Sequence, residues 1–296
     1  MKRVALFIMT KKGFEVFLRA TEIDRALIDF VVVGTDSNVQ NDFSDEIIAL
    51  AKKVGIPFFI RGSEPPVNEN QYIISVSWRW MIIHPTNKLI IFHDSILPKY
   101  RGFAPLVNML INGESKIGVS AIFGATEYDR GNLIAQQSTV INYPITISEA
   151  INLNNQNLLK LATNIICKIS NNEELVGVPQ EEAEATYSIW RDNDDYLIDW
   201  NKSANEIRRL IDAVGSPYLG ARCLTAGGDT VRIAKAEVVD DVACELRHIG
   251  KVIFIRDGRP IVICGSGLLR ILEAYLVDSN GEVDYLPMKS FRVKFV

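Results

Sequence analysis

Short runs of Val, Ile, Leu and Phe recur through the first third of the chain, at residues 3–9 (RVALFIM), 29–34 (DFVVVG), 57–60, 72–76 and 89–92. Runs of four to seven residues that are apolar nearly throughout, rather than at every second position, describe strands buried on both faces, and such strands belong to parallel sheets. The spacing between runs leaves room for helices. After a turn at residues 35–42, Ser44 stands where an N-cap is expected, and an amphipathic helix follows through residue 54. A longer helical spacing of apolar residues covers residues 148–170. The pattern predicts an α/β unit with an open, mostly parallel sheet and helices on both faces.

The texture changes at residues 171–195 (NNEELVGVPQEEAEATYSIWRDNDD), which are acidic and lack periodicity. Beyond them come one short helix (203–214) and brief runs bounded by Gly, Asp and Asn: TVRIAKAEVV, GKVIFIRDG, PIVICGSG and LLRILEAYLV. These predict a small antiparallel barrel or sandwich. With 296 residues, 48% of them hydrophobic, the chain is long enough for two cores. The expected division is a first domain over 1–180, a linker over 181–200 and a β-rich, OB-like domain over 201–296. A net charge of −4 disfavours a surface that holds nucleic acid by neutralising phosphates. The first residues (MKRVALFIMTKKG) contain neither a cleavage site nor a span-length apolar run, so a cytoplasmic protein with no membrane partner is expected. The four cysteines (Cys167, Cys223, Cys244, Cys264) show no metal or disulfide spacing, and no metal is expected.

The fifth run feeds a dense polar cluster, IIFHDSILPKYRG (90–102). Open α/β sheets bind ligands beyond the carboxyl ends of their strands, which is where His93 falls. Downstream, GVSAIFGATEYDRGNLIAQ (118–136) supplies another strand, a loop and Asp129, with Gly131 two residues on. If the strand from Val119 lies beside that from Leu89, Asp129 meets His93, and its carboxylate orients the imidazole as a general base. No Walker loop or G-x-G-x-x-G stands between a strand and a helix.

HDSILPKYRGFAPLVNMLINGE followed by GVSAIFGATEYDRGNLIAQ resembles the signature of the formyltransferases that use 10-formyltetrahydrofolate, and DDYLIDWNKSANEIRRLIDAVGSPYLGA (194–221) is similar to the start of their C-terminal domain. The resemblance covers most of the chain and implies a Rossmann-like first domain. It implies catalytic roles for His93 and Asp129, and 10-formyltetrahydrofolate as co-substrate without a metal. The pterin is then expected against Trp78, Trp80, Met81 and Ile82 on one loop and Gly124, Ala125, Tyr128 and Gly131 on another. Ser95, Lys99, Arg101, Lys11 and Lys12 become the candidate substrate contacts. One departure stands out: the family's third catalytic residue, an Asn two places before the His, is Ile91 here. Its task of holding the formyl oxygen then falls to His93 itself or to another donor such as Asp94 or a backbone N–H; otherwise the enzyme is slow or inactive.

Within that superfamily the acidic charge favours a nucleotide-linked amino sugar as acceptor, for surface glycan or nonulosonic acid synthesis, over methionyl-tRNA. A non-catalytic folate- or sugar-binding relative is the third reading. A homodimer is a further possibility, and Trp190, Tyr196 and Tyr218 are candidates for stacking on a nucleotide base.

Overall fold

The structure, a computed structural model, describes residues 3–36, 41–278 and 281–296. Residues 37–40 of the expected turn lie outside the described residues. The helices are α1 (Thr10–Asp24), α2 (Ser44–Val54), α3 (Pro105–Asn112), α4 (Ile147–Ser170) and α5 (Ala204–Val214). The strands of the N-terminal part are β1 (Val4–Ile8), β2 (Ile28–Val33), β3 (Phe58–Ile60), β4 (Tyr72–Val76), β5 (Leu89–His93), β6 (Arg101–Gly102), β7 (Lys116–Phe123), β8 (Leu133–Val140) and β9 (Tyr187–Ser188). Those of the C-terminal part are β10 (Ala221–Leu224), β11 (Thr230–Val239), β12 (Val252–Arg256), β13 (Arg259–Ile263), β14 (Leu268–Asp278) and β15 (Gly281–Asp284).

Two compact units result. The first comprises Met1–Pro105, Lys116–Val140 and Asn152–Ser188. Its sheet has the order β3-β2-β1-β4-β5-β7-β8. The pairings from β3 to β5 are parallel. β7 and β8 extend the β5 edge in antiparallel fashion, with His93 opposite Ser120. The expected neighbourhood of the Leu89 and Val119 strands is therefore present.

The two sheet faces are closed differently. Leu6, Ile8, Val31, Val33, Ile74 and Ile90 pack with Val16 and Phe17 of α1, Ile47 and Ala51 of α2, and Leu158, Leu161 and Ile165 of α4. On the other face Ala5, Phe7, Phe30, Val32, Ile73 and Leu89 meet Phe59, Trp78, Ile82 and Ile91. The fold class is the expected one, but these three helices share a single face. β1→β2 and β2→β3 step in the same direction along the sheet, and right-handed crossovers then place α1 and α2 on the same side. The connections returning the chain through residues 61–71 (RGSEPPVNENQ) and 77–88 (SWRWMIIHPTNK) carry Pro, Asn and Glu without helical periodicity. Neither forms an α-helix, so aromatic loop residues cover what a helix would have covered.

The start of α2 also departs from expectation. Ser44 is its first residue, and the N-cap is Phe43 in the left-handed region (φ 60°) with no side-chain cap. Asn41 and Asp42 accept the Phe43 and Ser44 N–H groups instead, at 2.9 and 3.0 Å. An Asn-Asp pair ahead of the helix competes with Ser for those donors.

The second unit holds α3, α5 and an antiparallel sheet of order β10-β11-β14-β13-β12, with β15 on β14. α5 opens with a reciprocal capping box between Ser203 and Glu206 and buries Ile207, Ile211 and Val214. Trp200 stacks on Phe295 with ring centroids 5.6 Å apart. Part of the expected linker belongs to the first unit, because β9 pairs with β6 through Arg101↔Tyr187 and Gly102↔Ser188. Among the described residues no helix is long and apolar enough to cross a membrane.

Candidate functional site

β5 alternates, so Leu89, Ile91 and His93 share the helix-free face while Ile90, Phe92 and Asp94 turn to the other. The His93 ring is buried and held at both nitrogens. Nε2 lies 2.8 Å from the Tyr100 carbonyl, which only accepts, so Nε2 carries a proton. Nδ1 faces Oδ1 of Asp129 at 3.4 Å.

Asp129 itself sits in the left-handed region (φ 58°), which Asp tolerates better than most side chains. Its Oδ2 accepts the Gly102 N–H at 2.8 Å. The turn is closed by Gln180, whose Nε2 donates to the carbonyls of Asp129 (2.7 Å) and Gly131 (2.8 Å). Gly131 admits no side chain, because a Cβ there would stand 1.7 Å from the Phe123 carbonyl oxygen.

Beside this pair a pocket of about 620 Å³, mouth included, is lined by Ser75, Trp78, Arg79, Trp80, Met81, Ile82, Leu89, Ile91, Ile122, Ala125, Glu127, Tyr128, Asp129 and Gly131. Trp78 packs edge-on against Phe7 and Trp80, and the Arg61 guanidinium lies 3.9 Å from the Trp80 ring centre. Arg79 is held by Asp36. Most of the walls are apolar, and the charged side chains among them are Arg79, Glu127 and Asp129. That suits a planar heterocycle whose reacting group points to the carboxylate.

Seven of the eight residues expected to line a cofactor site thus meet around one pocket. The eighth, Gly124, lies outside the lining. Its N–H donates to the Leu89 carbonyl at 2.8 Å, and a Cβ would crowd the Leu89 side chain at 2.9 Å. The order of the polar pair is the reverse of the one expected: Asp129 forms the pocket wall, and His93 stands behind it.

The expected substrate contacts do not assemble. Arg101 is fully buried, with its guanidinium on Gln180 (2.9 Å) and Glu182 (2.8 and 3.0 Å). The hydrogen bond to Glu182 raises its pKa further. Ser95 is buried, and its hydroxyl donates to the Lys99 carbonyl at 2.7 Å. Both hold loops rather than meeting a ligand. Lys12 is paired with Asp94 at 2.5 Å, and Lys11 lies 3.8 Å from Glu15. Asp94, turned away from the pocket toward Lys12 and Asn154, is not placed to replace the missing Asn. Lys99 stays exposed with no charged partner among the described residues.

Three contributors went unnoticed in the sequence: Gln180 and Glu182, hidden in an acidic stretch, and Ser75. Only Ser75 left a local signal, as the lone polar residue in the buried run YIISV. Among the described residues no cluster of three His, Cys, Asp or Glu is arranged to hold a metal ion.

The chain thus has an α/β unit with a pocket beside an acid–imidazole pair and an antiparallel β unit. Residues 78–162 match the family described as formyl transferase, and residues 191–280 the formyl transferase C-terminal domain. Together they cover more than half of the chain, which belongs to the formyl transferase family. A methionyl-tRNA formyltransferase of Alkaliphilus oremlandii (strain OhILAs) is 31% identical over 208 residues, 68% of this chain and 64% of that protein. The match therefore spans less than two thirds of that relative.

Two solved structures share the fold. One is the N-formyltransferase of Helicobacter canadensis in complex with folinic acid and dTDP-3-aminofucose. It has a TM-score of 0.70 and 18% identity, over 92% of this chain and 99% of that one. The other is WlaRD, a sugar 3N-formyl transferase in the presence of dTDP and 5-N-formyl-THF. It has a TM-score of 0.70 and 17% identity, over 97% and 99%.

Proposed function

We propose that the protein transfers a formyl group from 10-formyltetrahydrofolate to the amine of a nucleotide-linked amino-deoxy sugar, for a surface glycan or a nonulosonic acid. The observation that carries this reading is the pocket lined by Trp78, Trp80 and Ile82 and ended by Asp129. It has the apolar walls a pterin needs and an acid–base pair at one end. The bound folate supplies the activated formyl carbon. The chain's own residues then do three things. Trp78, Trp80, Met81 and Ile82 hold the ring system, and Gly131 and Gln180 fix the turn that carries Asp129. The Asp129–His93 pair receives the proton shed by the attacking amine, with Nδ1 as the accepting atom, and returns a proton to N10 of the departing tetrahydrofolate as the bond from N10 to the formyl carbon breaks, while Nε2–H stays on the Tyr100 carbonyl.

The likeness to sugar N-formyltransferases over nearly the whole chain supports the sugar acceptor, as does the net charge of −4. The 31% identity to a methionyl-tRNA formyltransferase favours a second reading, formylation of methionyl-tRNA. Tetrahydrofolate release, followed by absorbance with a panel of nucleotide-linked amino sugars and with methionyl-tRNA, separates the two. Release that depends on one amino sugar and is lost in His93→Ala supports the first reading. Release with the tRNA alone supports the second, and silence with every acceptor contradicts both.

A further inference from the structure

Four strand residues of the helix-free face line the pocket, and three of them are apolar: Leu89 and Ile91 on β5 and Ile122 on β7. Ser75 is the exception. It is 4% exposed and lines the pocket. It pairs in register with Phe7 on one side and Ile91 on the other, so its side chain emerges on the same face as theirs. Its hydroxyl makes no hydrogen bond with any described residue. The hydroxyl opens onto the pocket rather than being sealed inside the sheet, so it is available to a group bound there, whereas polar side chains packed inside a core are almost always satisfied by protein partners. The neighbouring serines follow that rule: the hydroxyls of Ser95 and Ser120 both donate to backbone carbonyls. The partner that Ser75 lacks is one that the pocket's ligand brings.

Acyl transfer also needs a donor that the acid–base pair does not provide. When a formyl carbon is attacked, negative charge grows on its oxygen, and a fixed hydrogen-bond donor at that oxygen is a large source of acceleration. At the Asp129 end, the carboxylate only accepts. Arg79 is committed to Asp36, the Tyr128 ring is 66% exposed to solvent, and Ile91 and Ile122 have nothing to donate. We propose that Ser75 is the catalytic donor to the formyl oxygen, its O–H hydrogen bond forming only with formylated folate in the pocket. The inference rests on the formyl-transfer reading above.

The test compares wild type with Ser75→Ala in three measurements. These are affinity for 10-formyl-5,8-dideazafolate against unformylated 5,8-dideazafolate, turnover with 10-formyltetrahydrofolate, and thermal stability. Wild type should bind the formylated compound several-fold more tightly, and Ser75→Ala should erase that preference while keeping affinity for the unformylated one. Turnover kcat should fall about 100-fold with little change in the acceptor KM, on the scale of other oxyanion donors. The Tm should hold or rise, because a hydroxyl with no protein partner is removed. Ile91→Asn, which sets an amide donor on the adjacent position, should restore turnover to Ser75→Ala more than it raises that of wild type.

Ser75→Ala with an unchanged formyl preference and unchanged kcat overturns the assignment, as does a lowered Tm, which would mean the hydroxyl serves the fold. Wild type that binds neither folate overturns the formyl-transfer reading itself and the inference with it. The binding arm thereby tells the two failures apart.

Discussion

The two faces of the β1–β8 sheet are built from the same kinds of residue and finished by different means. One is sealed by α1, α2 and α4, with Phe17, Ile47 and Ile165 at or near complete burial. The other is covered by a loop whose Trp78 and Ile82 leave a pocket between themselves and the strands. Helices with apolar stripes close a face without gaps, because their side chains interdigitate with the strand residues. A loop carrying two indoles and no period closes it incompletely. The difference separates stability from chemistry: the helical face should carry the fold, and the loop-covered face should carry the ligand.

Phe17→Ala tests the helical side with the largest expected effect. A buried Phe truncated to Ala costs about 3–5 kcal/mol, read as a lower midpoint in denaturant unfolding, while kcat per folded molecule should stay near wild type. Asp129→Asn is its mirror image on the open side. It preserves the shape of the turn and removes the charge beside His93 Nδ1, so turnover should fall about 10²–10⁴-fold with the unfolding midpoint nearly unmoved. Equal losses of stability and turnover in both variants would break the division between the faces.

Smaller effects come from the clamp behind Asp129. Gln180 is held by Arg101, and Arg101 by Glu182, whose carboxyl sits below its ordinary 4.5 chiefly because the Arg101 guanidinium donates to it. A carboxyl with a depressed folded pKa contributes its stabilisation fully above the unfolded value. It loses that stabilisation as pH falls through the lower, folded one. Protection of the Gly102 amide by Asp129 should therefore weaken on acidification below about pH 4.5, measured by hydrogen exchange. In Glu182→Gln that acid limb should flatten. Gln180→Ala should reduce kcat about tenfold and leave the shape of its pH profile unchanged, the signature of a residue that positions Asp129 without exchanging protons.

Legibility in the sequence followed the range of the interactions. β4 was readable at both ends and α2 at its C-terminal end because apolar runs and helical periodicity are local, whereas the cap of α2 was not, since Asn41 and Asp42 take the place expected of Ser44. The approach of His93 and Asp129 was readable because a strand-to-strand neighbourhood fixed both at one sheet end, and the family signature pointed to the same two residues. Which side chain would face the pocket was not readable, since it depends on the Asp129 backbone turning through positive φ. Arg101 looked like a ligand cation because its partners lie 79 and 81 residues away in an acidic stretch. The single-sided helices were missed because periodicity says where a helix forms and not which face it covers. Ser75 was visible as one polar letter in YIISV, but only the strand register shows that it shares a face with Ile91 and the pocket.

Titration with 5-formyltetrahydrofolate, followed by tryptophan fluorescence, most directly tests the claim that the loop-covered face is the folate site. Trp78 and Trp80 line the pocket, whereas Trp190 and Trp200 belong to the other unit. The account predicts saturable quenching in wild type that persists in Trp190→Phe. It also predicts that Trp80→Ala loses most of the quench and weakens affinity about tenfold, near 1.4 kcal/mol. Quenching that survives unchanged in Trp80→Ala and disappears in Trp190→Phe would place the ligand elsewhere and contradict it.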